Sequence, residues 1–164
     1  MNDEPNHLEY VGIITSNWSR LELVINSTIH ILADVTHEVG SCLTANLGSI
    51  HLKLRSLQGL VELRGGSPKL IKDIRSFQDS ISATSEKRNR ITHDPLMPVI
   101  GGPESKFGQL VSKADKKGRE FGIKIVSIAD LVEINREIMR RHDEFFKLRE
   151  KIKAELSVYA TKLS

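Results

Sequence analysis

Residues 67–95 read SPKLIKDIRSFQDSISATSEKRNRITHDP. Ser67 is a good N-cap, and Pro68 suits the first helical position, where no amide hydrogen is missed. Leu70, Ile74, Phe77 and Ile81 recur at three- and four-residue spacing, the signature of one buried helix face. Pro95 disfavours helical geometry at Asp94, so the helix is predicted to stop near His93. The stripe continues through Thr84 or Ser85, then Arg88, then Ile91 or Thr92. A core-facing line therefore runs into an arginine. An unpaired charge there is costly, so Arg88 needs a carboxylate, a phosphate, or a place at the rim of the bundle. Asn89 and His93 are four apart and share a helix face. His93 stands about 140° around the helix from Arg88, so one helix does not bring these two together by itself.

Working outward, the preceding sequence has the same period. Val11, Ile14, Trp18, Leu21, Ile25, Ile29 and Leu32 predict a helix from about Leu8 to Ala33. Residues 34–40 form a polar break. Leu43, Leu47, Ile50, Leu54, Leu57 and Val61 predict a second helix, closed by Gly65-Gly66, since glycine tolerates the left-handed turn past a helix end. After Pro95 the pattern changes. Residues 95–126 hold three prolines and five glycines and carry no helical stripe. Residues 107–111 and 121–126 are β-prone, with a plausible turn at 115–118, so a β-hairpin insertion over about 99–126 is predicted. The last helix starts at Ser127, with Asp130 placed to bond back to the cap. Its stripe is Leu131, Ile134, Ile138, Phe145, Leu148, Ile152 and Leu156. The expected architecture is mainly α: a four-helix, up-and-down bundle with a β-hairpin between the third and last helices. No repeat, low-complexity tract or linker divides residues 1–164, so one domain is expected.

Composition narrows the function classes. Of the 164 residues, 39% are hydrophobic and 27% charged, proportions of an ordinary globular protein. A chain of this length buries roughly two-thirds of its unfolded surface and needs no metal or disulfide to fold. The single cysteine, Cys42, has no internal partner, so a reducing, cytoplasmic setting is expected. The acidic, polar start is unlike a secretory signal, and no apolar run approaches a membrane span. The net charge of +3 permits a nucleic-acid partner without arguing for one. His30, His37 and His51 lack metal-ligand spacing, and Gly65-Gly66 and Gly101-Gly102 lack the pattern of a phosphate loop. No metal and no cofactor are therefore expected. Cys42 reads as a small buried hydrophobe, Trp18 as core or dimer interface, and His142 as a hydrogen-bonded core histidine or a rim residue.

The chemistry lies in residues 88–93. Arginine is always charged and presents a planar donor fork that suits a phosphate. Histidine takes and gives protons near neutral pH. Asn89 both donates and accepts. Taken by itself, the surrounding charge cluster is also that of a solvated helix face, with Glu86 and Arg90 four apart.

Arg88-Asn89-x-x-x-His93 at the end of a helix resembles the Arg-x4-6-His motif of the HEPN superfamily. The helical part of the chain is compatible with that fold; the insertion is not part of its common core. The resemblance implies a homodimer with a composite cleft. It also implies a metal-independent endoribonuclease, the toxin of a toxin–antitoxin pair or part of an anti-phage system. Arg88 and His93 would then be the catalytic pair and Asn89 their supporting residue. The family's polar residue on the first helix would correspond to Glu22 or Asn26, which also read as a surface polar pair. Lys113, Lys116, Lys117 and Arg119 in the basic hairpin would extend an RNA track, or else be a solvated edge. The competing expectation is a non-catalytic module of the same fold that binds a nucleotide, or pairs with an antitoxin or nucleotidyltransferase.

Overall fold

The computed structural model describes residues 6–99, 106–115 and 118–156. Its element order is α1 (His7–Ala33), α2 (His37–Ala45), α3 (Ile50–Leu63), α4 (Pro68–His93), β1 (Leu96–Val99), β2 (Lys106–Asp115), β3 (Gly118–Val126) and α5 (Ile128–Glu155). The protein is mainly helical, and the described helices number five rather than four.

The extra helix comes from a break inside the predicted second one. Asn46 closes α2, its backbone N–H donating to Thr44 O. Ser49 then opens α3, its hydroxyl accepting from Leu52 N at 3.3 Å. Two caps within four residues end one helix and start another. Leu43, assigned to the buried stripe from its spacing, is 55% exposed on α2. The regular stripe begins only at Ile50 and continues through Leu54, Leu57 and Val61, all buried.

The other helix ends follow local chemistry. Ser67 Oγ accepts from Leu70 N at 3.2 Å and caps α4. Gly65 takes φ +83° just past α3, where a side chain would be strained, and Gly66 N donates to Val61 O at 2.9 Å. Ser127 and Asp130 cap α5 reciprocally: Asp130 N donates to Ser127 Oγ at 3.1 Å, and Ser127 N to Asp130 Oδ2 at 2.9 Å.

Between α4 and α5, three antiparallel strands pair in the order β1-β2-β3. Leu96 pairs with Gln109 and Val99 with Lys106; Phe107 pairs with Val126 and Asp115 with Gly118. β1 has no counterpart in the sequence reading. It is only four residues long and contains Pro98, which hid it.

The chain divides into two compact units, each discontinuous in sequence. The first comprises Met1–Asn17 and Thr84–Ile138, and so holds the start of α1, the end of α4, the three strands and the start of α5. Its buried residues include Ile14, Ile91, Val126, Leu131 and Ile138. His7 is buried with them, its Nε2 3.0 Å from Val126 O. The second unit comprises Trp18–Ala83 and Met139–Ser164. Its core includes Trp18, Leu21, Ile25, Leu54, Leu57, Ile74, Ile81, Phe145 and Ile152, each at most 1% exposed. Phe77 and Phe145 meet there with ring centroids 5.4 Å apart. Trp18 is thus a core residue.

Candidate functional site

The end of α4 places residues 88–93 in the first unit. The predicted stripe is buried as far as the site: Ile81 0% exposed, Thr84 1%, Ser85 8%, then Ile91 5%. Arg88 lies on this line and is half-buried. Its half-buried position is compatible with the rim placement the sequence left open. The guanidinium Nε is buried, while Nη1 donates to Asn89 Oδ1 at 2.9 Å. Fixing one edge of the fork restricts how the remaining N–H groups point.

Asn89 and His93 are both exposed. The His93 side chain has no hydrogen-bond or ion-pair partner among the described residues, and it is exposed. Thr92 stiffens the turn between them: its hydroxyl lies 3.1 Å from Arg88 O and 3.3 Å from Asn89 O. Asp94 N still donates to Arg90 O at 3.0 Å, so α4 keeps its hydrogen bonding up to the Pro95 break.

The flanking charges are paired. Glu86 Oε1 accepts from Arg90 Nη2 at 3.1 Å, the i,i+4 pair expected of a solvated face. Lys87 Nζ meets Glu137 Oε1 of α5 at 2.6 Å. Asn17 of α1 donates from Nδ2 to Asn135 Oδ1 of α5 at 2.8 Å. Together these bonds tie α1, α4 and α5 around the end of α4.

No family model, curated protein or solved structure matches the chain.

The remaining candidates are placed as follows. Glu22 and Asn26 belong to the second unit. Glu22 Oε2 stands 3.7 Å from Lys53 Nζ of α3, and Lys53 is only 8% exposed. Asn26 Oδ1 is buried with no hydrogen-bond partner among the described residues. The surface polar pair read from the sequence is therefore partly buried, with Glu22 beside Lys53. The missed member is Lys53. Its signal was present, since it stands three residues after Ile50 on the helix whose buried line contains Ile50, Leu54 and Leu57. Lys113 and Arg119 occupy ladder positions opposite Glu120 and Ala114. Lys116 and Lys117 lie outside the described residues.

The expectation for Cys42 is corrected, and of the two readings open for His142 the enclosed core position is not the one found. Cys42 is exposed rather than buried, because on α2 only Gly40 and Thr44 face inward. His142 is half-buried and stacked beside Phe146, ring centroids 6.4 Å apart, rather than enclosed in the core.

An open groove of about 400 Å³ in the second unit is lined by Lys69, Leu70, Asp73, Lys151, Ala154 and Glu155. Three of its charged residues are engaged: Lys151 Nζ meets Asp73 Oδ2 at 2.6 Å, and Glu155 accepts from Ser67. Among the described residues, no group of three or more His, Cys, Asp or Glu side chains is placed to hold a metal ion. No described helix is long and apolar enough to cross a membrane.

Proposed function

We propose that the end of α4 is an RNA-cleaving site of the HEPN type. The single observation carrying this reading is the arrangement of three groups on two turns of one helix. Arg88 is half-buried and oriented by Asn89, and His93 is exposed without a partner among the described residues. A rigidly held guanidinium suits a phosphate oxygen. An exposed imidazole suits proton transfer.

In the proposed reaction His93 removes the proton of an RNA 2′-hydroxyl. The 2′-oxygen bonds to the adjacent phosphorus, and the bond from phosphorus to the 5′-oxygen breaks. The departing 5′-oxygen takes a proton, and a 2′,3′-cyclic phosphate remains. Arg88 stabilises the charge gathering on the phosphate oxygens. His93 supplies one proton-transfer group, and a second copy of the chain supplies another; the proposed active form is a homodimer. Within this reading the fold is a HEPN-like bundle with the β-strands as an insertion. An antitoxin or nucleotidyltransferase partner would silence the site.

The test is cleavage of labelled RNA in excess chelator by the wild type, Arg88→Ala and His93→Ala. Cleavage by the wild type, with cyclic phosphate ends, should fall by at least about a hundredfold in either variant. Cleavage that persists in both variants assigns the activity elsewhere. No cleavage of any RNA, with a nucleotide or partner protein copurifying, supports a non-catalytic module instead. That second reading draws on the same Arg88–Asn89 pair, which binds a phosphate whether or not His93 acts on it.

A further inference from the structure

We infer that β3 is a pairing edge for the β3 strand of a second copy of this chain, running antiparallel about Gly122. The inference rests on the dimer half of the proposed function and is independent of RNA cleavage.

The two edges of the sheet differ. β1 has four residues, and Pro98 within it lacks an N–H to donate. A short edge carrying a proline resists strand addition. β3 has nine residues and no proline, and among the described strands it pairs only with β2. A strand of that length spans roughly 30 Å, and its last carbonyl, that of Val126, is taken by His7 Nε2 at 3.0 Å. Gly122 and Ile125 are exposed, and a Cβ built on Gly122 meets nothing within 4 Å.

The occupant is identified by the order of residues along β3. Its charged residues are Arg119, Glu120 and Lys124. When two copies pair antiparallel with full overlap, Gly118 faces Val126, Arg119 faces Ile125, Glu120 faces Lys124, Phe121 faces Ile123, and Gly122 faces itself. Each Glu120–Lys124 pairing occurs twice because the arrangement is two-fold symmetric. Opposite charges at facing positions favour a register, and like charges oppose it. A slip by one position that faces Arg119 with Lys124 places like charges together twice. β3 is therefore complementary to itself in the register centred on Gly122. The isolated lysine that would guard an edge is answered here by a glutamate two residues from the symmetry point.

The experiment measures oligomeric size by sedimentation over a concentration series, with far-UV circular dichroism confirming that each variant is folded. The wild type should self-associate. Glu120→Lys places lysine against lysine twice, and Lys124→Glu places glutamate against glutamate twice; each should weaken association by roughly tenfold or more. An equimolar mixture of the two should associate again, because every facing pair is then opposite in charge. A monomeric wild type, unaffected variants, or a mixture that stays dissociated would each overturn the inference.

A second measurement stands even if one charge variant misfolds. In a Cys42→Ser background, Gly122→Cys should form a covalent dimer on mild oxidation, since facing residues of antiparallel strands lie within disulfide reach. Gly12→Cys, at another open position on α1, should not. Absence of the Gly122→Cys dimer counts against the pairing. Dimerisation without RNA cleavage overturns the ribonuclease reading and leaves this one intact.

Discussion

Arg88 and Asn89 are neighbours in the chain and partners through space: the guanidinium Nη1 donates to the amide Oδ1 at 2.9 Å. Adjacent residues on a helix point about 100° apart, so this contact needs the long arginine to bend towards its neighbour. The arrangement gives Asn89 a definite role. It holds one edge of a cation that remains half-buried on the core line.

Asn89→Ala should therefore loosen Arg88 without harming the fold. Asn89 is exposed, so the change in unfolding free energy should stay within about 0.5 kcal/mol. RNA binding or cleavage should fall about tenfold, with Asn89→Gln recovering part of it because the amide oxygen is kept. Equal activity in wild type and Asn89→Ala would show that the pair does not position the guanidinium.

A close approach at Gly40 should make that position sensitive to size. A Cβ there would lie 2.3 Å from the His30 ring, well inside contact distance. Gly40→Ala should cost about 1–3 kcal/mol in urea unfolding through overpacking. Truncating the ring should relieve this. The double variant Gly40→Ala with His30→Ala should be less destabilised than the sum of the two singles. Additive costs would rule out the steric link.

His30 should also make stability depend on pH. Burial lowers its pKa, the neighbouring His37 lowers it further, and a backbone hydrogen bond at Gly40 opposes them. The folded protein then binds the proton less readily than the unfolded chain. Above the ordinary histidine range both states are neutral at this site, and it has no effect. As pH falls through that range the unfolded chain takes the proton first, so stability declines. Thermal unfolding at mildly acidic and mildly alkaline pH should show a smaller acid loss in His30→Gln than in the wild type. An identical loss in both would place the pH sensitivity at another group.

The Glu22–Lys53 pair at 3.7 Å should be asymmetric in its response to mutation. Lys53 is 8% exposed, whereas the Glu22 side chain is 30% exposed. Glu22→Ala leaves a buried ammonium without its counter-charge and should cost about 3 kcal/mol. Lys53→Met keeps the volume, removes the buried charge and returns Glu22 towards solvent, so it should cost about 1 kcal/mol or less. Reversal of that order in chemical denaturation would mean that the ammonium is hydrated rather than buried. If Glu22 also serves a substrate, Lys53→Met should spare activity while Glu22→Ala removes it.

Helix periodicity made much of the fold legible. The stripes of α1, α4 and α5 are buried nearly as the spacing predicts, and the caps Ser67 and Ser127 are where a serine before an apolar run should be. The misreading of Leu43 has a physical source. Residues 43 to 61 keep the helical period through Leu43, Leu47 and Ile50, but periodicity says nothing about continuity of the backbone. The Asn46 and Ser49 caps decided that, and only the first strand's brevity and its proline concealed β1.

By itself, then, the sequence determined the helical class, the extent of α4, and the presence of Arg88 at the end of a buried stripe, because these depend on local period, capping and proline chemistry. Tertiary structure decided that Arg88 reaches Asn89, that Lys53 is buried beside Glu22, and that His93 is left exposed. Those outcomes depend on side-chain direction and on which elements pack where, and neither is encoded in the spacing of residues along one helix.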